Sequence, residues 1–219
     1  MEIYYTTIKA EISRNKIDYY LSLVSEESRA KFKRFHFIED SLRSLYGELL
    51  IRRAAAKSCG CSEKELRIGR SEHGKPFLYD CKMEFNISHG GDFVVCAVAE
   101  QPVGVDVEPV RDIDLGIARR FFHPSECELI MGSEDSRSRF FDLWTLKESY
   151  VKWLGKGLSQ PLNSFCFDIS GERISLIGSR GMQENLSFKI FEFSGCKCAV
   201  CTEEEPPKAM QWIDAEELI

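Results

Sequence analysis

The chain has 219 residues, of which 43% are hydrophobic and 29% are charged, and its formal net charge is −6 at pH 7. This composition is that of an ordinary globular protein, and it excludes disordered and collagen-like chains. An acidic chain lacks the basic face of a general nucleic-acid-binding protein, so we expect no nucleic-acid partner. No run of about 18 apolar residues and no basic, apolar leader is found. We therefore expect a cytoplasmic protein that does not associate with membranes.

The first half of the chain predicts a strand, then helices, then a second group of strands. The first strand is expected within Glu2–Ile12. The longest helix is predicted over Glu39–Lys57, where apolar residues recur at helical spacing, and Gly60 ends it. Shorter helices are expected near Lys16–Leu23 and, with Ser25 as its N-cap, through Arg34. Strands are expected at Phe85–Ile87 and Phe93–Ala99.

Gln101-Pro102 interrupts the pattern and is the best candidate for a boundary between two halves. A strand at Val103–Glu108 and a helix at Leu115–Phe122 are expected next. Ser125 with Glu128 then predicts a capping box for a following helix. The second half continues with a long helix at Arg139–Leu154 and with strands at Ser164–Ile169, Arg173–Ile177, Ser187–Phe193 and Lys197–Thr202. The tail that follows begins polar, and we expect Trp212 to anchor it.

Nine cysteines are scattered along the chain. An odd number, in a chain large enough to build its own core, favours the reduced thiols of a cytosolic protein. Cys196, Cys198 and Cys201 could form a metal cluster, but their alternation with other residues favours a strand that carries core thiols. The Cys59-Gly60-Cys61 segment follows a predicted helix, and there we expect a reversal of the chain.

Three carboxylates fall where their side chains can converge. Asp106 and Glu108 are one residue apart at the end of a predicted strand, so both project from the same face. Glu148 lies on the predicted Arg139–Leu154 helix. Carboxylates at one point repel one another unless a divalent cation joins them, and Mg²⁺ prefers all-oxygen ligation. The alternative is a solvated strand end and an exposed helix position, and the spacing alone leaves both interpretations open.

Trp144, Glu148 and Lys152 are four residues apart and form one stripe of that helix, with Lys147 beside it. The plain interpretation is a surface Glu–Lys pair. The sharper one is a carboxylate that holds a metal or takes a proton, next to a lysine that binds phosphate.

Basic residues are concentrated in the first half and indicate a pocket for an anion, although solvated helix faces explain part of this excess. The Ser88-His89-Gly90-Gly91 segment adds a hydroxyl, an imidazole and a flexible backbone. No G-x-S-x-G nucleophile elbow, Walker loop or G-x-G-x-x-G is present, so those routes to hydrolysis and nucleotide binding are excluded. The basic residues are Lys31, Lys33, Arg34, Arg43, Arg52, Arg53 and Lys75.

Two motifs, Val103-Gly-Val-Asp-Val-Glu108 and Trp144-Thr-Leu-Lys-Glu-Ser-Tyr-Val-Lys152, resemble those of the 4′-phosphopantetheinyl transferases. Gly74-Lys-Pro76, Phe85-Asn-Ile-Ser-His89 and the stretch Phe35…Glu39-Asp40…Arg43 are further matches. The length is similar to that of the surfactin-synthetase-activating type, in which one chain carries two similar halves. The resemblance implies an α+β fold of two similar α/β subdomains in a pseudo-twofold arrangement that shares one cleft. Residues 1–102 would bind the phosphate and adenosine side of coenzyme A, and residues 103–219 would carry the Mg²⁺-binding and catalytic motifs.

The resemblance implies transfer of the 4′-phosphopantetheine arm of coenzyme A to a serine of an apo acyl or peptidyl carrier protein, with release of adenosine 3′,5′-bisphosphate. By position, Asp106, Glu108 and Glu148 would bind Mg²⁺ against the pyrophosphate, and Glu148 would accept the serine proton. Lys152 and His89 would contact phosphates. The resemblance also implies, with weaker support, that coenzyme A contacts Lys31, Arg43, Ser44, Lys75 and Ser88. Lys75 and His89 would lie near the adenosine 3′-phosphate.

The family often has a basic residue where this chain has Ser28, and a serine where it has Gly90. The phosphate contacts are therefore expected to differ in detail from the family pattern. The carrier protein would dock on an apolar patch, for which core packing is the alternative explanation. The candidate residues of this patch are Phe121, Phe122, Leu129 and Met131.

Whatever its function, we expect this protein to be a monomer. Two functions other than phosphopantetheinyl transfer stay open at this point. One is a Mg²⁺-dependent phosphohydrolase that uses the same carboxylates, although the acidic charge and the absence of a basic groove disfavour a nuclease. The other is a carrier-binding regulator that has lost catalysis, which the intact Asp106, Glu108, Glu148 and Lys152 disfavour.

Overall fold

The computed structural model describes residues 1–8, 12–72, 74–79, 81–155, 160–171, 173–178 and 185–218. The chain forms two compact units, of which unit 1 comprises Met1–Glu100 with Pro207–Ile219 and unit 2 comprises Gln101–Pro206. Both units combine helices with small sheets, which confirms the α+β class. Among the described helices, none is both long and apolar enough to cross a membrane.

Unit 1 is a four-stranded sheet covered by a long helix. Strands β1 (Glu2–Thr7), β4 (Glu84–Gly90) and β5 (Phe93–Ala99) are antiparallel neighbours, with β5 in the middle. The short β11 (Gln211–Trp212) adds to the free side of β1 in parallel. Helix α3 (Ile38–Cys59) packs on this sheet through an apolar face that includes buried leucines. This is the helix that the periodicity predicted, and β5 has its predicted bounds.

The remaining elements of unit 1 lie along its chain before and after α3. Helices α1 (Arg14–Leu23) and α2 (Glu26–Phe32) precede it, and Ser25 caps α2 as predicted, with its side chain accepting from the backbone N–H of Ser28. The hairpin of β2 (Ile68–Arg70) and β3 (Pro76–Leu78) follows it.

Unit 2 repeats the same plan of one long helix on a sheet. Strand β10 (Cys196–Thr202) lies between β6 (Val103–Pro109) and β9 (Ser187–Phe193), antiparallel to both. Helix α6 (Ser136–Leu154) packs across β6 and β10. Its predicted end is confirmed, because Gly155 adopts a left-handed conformation with φ of 67°.

The short helices of unit 2 differ from the prediction. The expected helix at Leu115–Phe122 is a 3-10 turn at Leu115–Ile117 followed by α4 (Ala118–Phe121). A separate antiparallel pair, β7 (Cys166–Ser170) and β8 (Arg173–Ile177), completes the unit.

The predicted capping box at Ser125 and Glu128 is wrong by two residues. Helix α5 (Pro124–Met131) is capped by His123, whose ring accepts from the backbone N–H of Ser125. Glu126 completes the capping box, because its carboxylate accepts from the backbone N–H of His123 at 2.9 Å. Proline is suited to the first helical position, since that position needs no N–H. The helix therefore begins two residues earlier than predicted.

The predicted set of reduced thiols is wrong at one place. Cys59, at the end of α3, forms a disulfide with Cys81, which precedes β4. Gly60 reverses the chain as predicted, with φ of 65°. Cys196, Cys198 and Cys201 are buried thiols of β10, which confirms the interpretation of that segment as a strand.

The C-terminal segment belongs to unit 1, whereas the sequence assigned it to the second subdomain. The backbone N–H of Ile213 donates to the carbonyl of Tyr5 at 2.9 Å, and the hydroxyl of Tyr20 donates to the carbonyl of Ala215. Ala215 and Leu218 are buried in the core of unit 1. Trp212, the predicted anchor, is 47% exposed and packs against the ring of Tyr5 at the edge of the sheet.

Candidate functional site

The first motif places β6 directly beneath α6. Gly104 is buried at the crossing, and a Cβ built there would overlap the carbonyl oxygen of Ser149 and the backbone nitrogen of Trp153. Glycine alone allows the strand and the helix backbone to approach this closely. The same face of β6 carries Asp106, two residues further along, so α6 can present its side chains to that carboxylate.

Lys152 connects the two motifs. Its ammonium group donates to Oδ1 of Asp106 at 2.6 Å and to the carbonyl oxygen of Val105 at 3.1 Å. Asp106 is almost fully buried, whereas Lys152 keeps 28% of its side-chain surface exposed. The stripe of α6 that contains Glu148 and Lys152 therefore faces the end of β6.

The three carboxylates of unit 2 influence one another electrostatically. Burial raises the pKa of Glu148, and the charge of Asp106 raises it further while Lys152 opposes the change. Burial and Asp106 also raise the pKa of Glu108, and Glu148 adds to this effect. The two motifs thus bring Asp106, Glu108 and Glu148 into one negatively charged neighbourhood.

The described residues contain no three His, Cys, Asp or Glu side chains that converge closely enough to hold a metal ion. The chemistry of the three carboxylates nevertheless fits Mg²⁺, because they offer only oxygen ligands and a divalent cation would relieve their mutual repulsion. The residues that would take part are Asp106, Glu108 and Glu148.

Lys147 lies in the core of unit 2, although it directly precedes Glu148. Its side chain is 0% exposed, and its ammonium group lies 2.8 Å from a carboxylate oxygen of Glu126. It also donates to the carbonyl oxygens of Leu162 at 2.8 Å and Phe165 at 2.7 Å. All its donors are satisfied inside the unit. Lys147 thus joins α5, α6 and the segment before β7, and it does not face Asp106, Glu108 and Glu148.

Unit 1 contains a cavity of about 270 Å³ between α2, α3, the β2–β3 hairpin and β4. Four of the predicted coenzyme A residues line it: Lys31, Arg43, Ser44 and His89. Arg43 is held in place, because it donates to Oδ1 of Asp40 at 2.6 Å and to the carbonyl oxygen of Gly91 at 2.8 Å. The cavity combines cations with hydroxyl groups and an imidazole, which suits a phosphorylated ligand.

The other residues predicted for this pocket lie around it. Ser88 precedes His89 on β4 but is buried, because neighbouring residues of a strand point to opposite faces. Lys75 is half-buried in the turn before β3, where its backbone N–H donates to Oγ of Ser71 at 3.1 Å. Arg52, one of the basic cluster, is 3% exposed and bound to Glu48 at 2.8 Å.

Arg70 also lines the cavity and was missed by the sequence analysis. It lies at the end of β2, opposite Pro76 of β3. Burial lowers the pKa of Lys31, and the nearby positive charge of Arg70 lowers it further. The signal in the sequence was a basic residue just before the Gly74-Lys-Pro76 motif, but nothing in that motif places the residue at the cavity.

The predicted docking patch is divided between the core and the surface of unit 2. Phe122 is buried and Phe121 is half-buried, and both rings pack against Trp144. Leu129 and Met131 on α5 are exposed, at 37% and 49%. Core packing explains the two phenylalanines, so the two residues of α5 remain as candidates for contact with a partner.

Two family models match consecutive parts of the chain. One, described as 4′-phosphopantetheinyl transferase, N-terminal, matches residues 11–101. The other, described as 4′-phosphopantetheinyl transferase superfamily, matches residues 102–202.

Curated relatives are similar over most of their length. The 4′-phosphopantetheinyl transferase gsp of Aneurinibacillus migulanus is 37% identical over 92% of this chain and 86% of its own. A 4′-phosphopantetheinyl transferase of Bacillus subtilis is 40% identical over 75% of each chain. The 4′-phosphopantetheinyl transferase Sfp of Bacillus subtilis strain 168 is 34% identical over 100% of both chains.

Proposed function

Because this chain belongs to the 4′-phosphopantetheinyl transferase superfamily, we propose that it transfers the 4′-phosphopantetheine arm of coenzyme A to a serine of an apo carrier protein. The observation that supports this most directly is the neighbourhood of Asp106, Glu108, Glu148 and Lys152 in unit 2. It unites the residues of two motifs that lie far apart in the sequence. The reaction forms a bond from the serine oxygen to the phosphorus next to pantetheine. It breaks the bond from that phosphorus to the bridging oxygen of the pyrophosphate, which leaves with adenosine 3′,5′-bisphosphate.

We propose that Asp106, Glu108 and Glu148 bind Mg²⁺, which would neutralise charge on the pyrophosphate of coenzyme A. Glu148 accepts the proton of the serine hydroxyl, directly or through a water molecule. Lys152 offsets the charge that develops on the leaving bisphosphate. Its bond to Asp106 keeps the ammonium group at the end of β6. Such a reaction needs little covalent chemistry from the protein, mainly positioning and charge neutralisation.

The cavity of unit 1 would bind the adenosine side of coenzyme A. Lys31, Arg43, Ser44 and His89 line it and can donate to phosphate oxygens. Lys75 and Ser88 belong to the same proposal, although their side chains lie outside the cavity wall. The exposed Leu129 and Met131 of unit 2 are the proposed contact for the carrier. Two further predictions from the sequence, a monomeric state and a cytoplasmic location, remain predictions.

The test is mass spectrometry of a panel of apo carrier proteins after incubation with the enzyme, coenzyme A and Mg²⁺. A mass gain equal to the phosphopantetheine arm is expected on at least one carrier, and chelation of Mg²⁺ should abolish it. Glu148→Gln should lower the transfer rate by about 100-fold or more, because a positioned base and a metal ligand are lost together. Glu205→Gln is the matched control, since Glu205 is exposed in unit 2 and lies outside both motifs and α5, and this variant should keep the wild-type rate.

Two results would contradict the proposal. Release of adenosine 3′,5′-bisphosphate from coenzyme A without any carrier would favour a phosphohydrolase. An unmodified panel, together with tight binding of a carrier, would favour a regulator that has lost catalysis. A near-normal rate for Glu148→Gln would overturn the role of that residue alone.

A further inference from the structure

The disulfide between Cys59 and Cys81 encloses the whole β2–β3 hairpin in one covalent loop. Cys59 is the last residue of α3, and Cys81 lies just before β4. The bond therefore ties the arm of the chain that leaves the hairpin to the end of the helix. The proposed transfer reaction makes no use of this bond.

The hairpin forms one wall of the cavity of unit 1, to which it contributes Ile68, Gly69, Arg70 and Pro76. Other walls come from α3 and β4, and both of these elements also supply buried residues to the hydrophobic core. Cys59 and Cys81 are not among the described residues that line the cavity. The disulfide can therefore influence a ligand only through the position of the hairpin.

The hairpin is attached to unit 1 mainly at its two ends. Strands β2 and β3 form a two-stranded sheet of their own, and such a hairpin is only marginally stable in water. Arg52 anchors the arm that enters it, because its guanidinium group donates to the carbonyl oxygens of Glu63 at 2.7 Å and Leu66 at 3.0 Å. On the other arm Leu78 is buried, and the disulfide follows. The disulfide is thus the covalent anchor of the arm that leaves the hairpin.

The bond is placed where a small thiol can reach it, since Cys59 and Cys81 are both half-buried. A thiolate that attacks one sulfur breaks the S–S bond and forms a mixed disulfide, which a second thiol resolves. One protein disulfide and two small thiols thereby become two protein thiols and one small disulfide. A reducing pool of low-molecular-weight thiols drives this reaction forward, and an oxidising pool reverses it.

We infer that Cys59 and Cys81 form a redox switch that controls the binding of coenzyme A in the cavity of unit 1. The disulfide holds the hairpin wall in place before the ligand arrives. The reduced chain must order this wall on binding, and the cost lowers its affinity. The inference rests on the proposed function for the identity of the ligand. Because linkage is reciprocal, bound ligand makes the disulfide harder to reduce.

The test is calorimetric titration of the full-length protein, either oxidised or reduced with dithiothreitol, with S-methyl-coenzyme A in the presence of Mg²⁺. The blocked thiol prevents the ligand itself from exchanging with the disulfide. Reduction should weaken binding by about tenfold, which lies within the usual range of coupling between two sites. The double variant Cys59→Ser, Cys81→Ser should have the affinity of the reduced protein under both conditions. Cys61→Ser is the matched control, because it removes a free thiol just beyond α3, and it should respond to the reductant as the wild type does.

A second measurement needs no variant. The wild-type protein is equilibrated in glutathione buffers of different potential, and alkylation followed by mass spectrometry counts its free thiols. Saturating S-methyl-coenzyme A should move the midpoint of reduction to a more negative potential, by about 30 mV for a tenfold difference in affinity. Circular dichroism of the reduced protein should keep the helical signal of the oxidised protein.

Equal affinities of the oxidised and reduced wild type would overturn the inference, and so would a midpoint that the ligand does not move. A double variant that still responds to the reductant would assign the effect to other cysteines and overturn it as well. Loss of the helical signal on reduction would mean that the protein unfolds instead of switching. None of these results involves a carrier, so each leaves the proposed function intact. Wild-type protein that binds the ligand in a redox-dependent way but modifies no carrier would contradict the proposed function and not the switch.

Discussion

Lys147 and Glu148 are neighbours on α6, but their side chains point in different directions. Glu148 is half-buried near Asp106, whereas Lys147 is enclosed in the core and bonded to Glu126. A buried charge without its partner is much more costly than the pair, because the remaining ion has lost its hydration without compensation.

We therefore expect Lys147→Ala to reduce the free energy of unfolding of the protein by about 3–5 kcal/mol. Glu126 would be left buried and charged, and the carbonyl groups of Leu162 and Phe165 would lose a donor. Denaturant titration followed by circular dichroism measures the loss. The control is Arg137→Ala, which removes an exposed ion pair with Asp112 and should cost less than about 1 kcal/mol. Equal, small losses in both variants would contradict a structural role for Lys147.

The residues of the candidate site were predictable to the extent that spacing determines direction. Asp106 and Glu108 lie two residues apart on one strand and so share a face, and Glu148 and Lys152 lie four residues apart on one face of a helix. The direction of all four side chains therefore follows from periodicity. The burial of Lys147 depends on Glu126 and on two carbonyl groups of a later segment, and periodicity does not record such partners. Arg70 was missed for the same reason, because its place at the cavity with Lys31 depends on contacts between segments far apart in the sequence.

At the scale of elements, long periodic segments were predicted best. Helices α3 and α6 have many turns that repeat the same apolar face, and each ends at a glycine with positive φ. Helix α4 has a single turn, and its apolar residues have no repeat to reveal it. The start of α5 depended on the backbone preference of Pro124, which outweighed the Ser125 and Glu128 pattern.

The disulfide between Cys59 and Cys81 joins two parts of unit 1, the end of α3 and the segment between β3 and β4. Its cysteines are 22 residues apart. Closing a loop of that size restricts the unfolded chain and is worth about 3 kcal/mol of stability. The spacing alone could not pair these cysteines, because seven others compete for the same role.

We expect Cys81→Ser to lower the free energy of unfolding by about 3 kcal/mol under non-reducing conditions. Adding a reductant should destabilise the wild-type protein by a similar amount and leave the variant unchanged. Cys61→Ser is the matched control, since Cys61 is a free thiol just beyond the same helix. If all nine cysteines of the unreduced, denatured protein react with an alkylating reagent, the disulfide does not form in solution.

At the scale of the whole molecule, the chain leaves unit 1 after Glu100 and returns to it at Pro207. The sequence could not show this return, because the tail is short and its partners are far away in the chain. Its anchors are single interactions, such as the bond from Tyr20 to the carbonyl of Ala215 and the buried side chain of Leu218.

Deletion of residues 207–219 should therefore destabilise unit 1, although the missing residues follow unit 2 in the sequence. The expected loss is roughly 2–4 kcal/mol, since β1 loses a neighbouring strand and Leu218 leaves a cavity in the core. Hydrogen exchange resolved by peptide is the measurement, and faster exchange is expected in β1 and α1. Faster exchange in β6 and β10 instead would contradict the assignment of the tail to unit 1.

The position of the tail also has a spectroscopic consequence. The chain has three tryptophans, and Trp144 and Trp153 belong to unit 2 while Trp212 belongs to unit 1. Trp212 is 47% exposed, whereas the other two are partly buried among aromatic rings. Its fluorescence should therefore lie at longer wavelength than theirs. With phenylalanine at positions 144 and 153, the remaining emission would report the unfolding of unit 1 alone, so the stabilities of the two units become separately measurable in the intact chain.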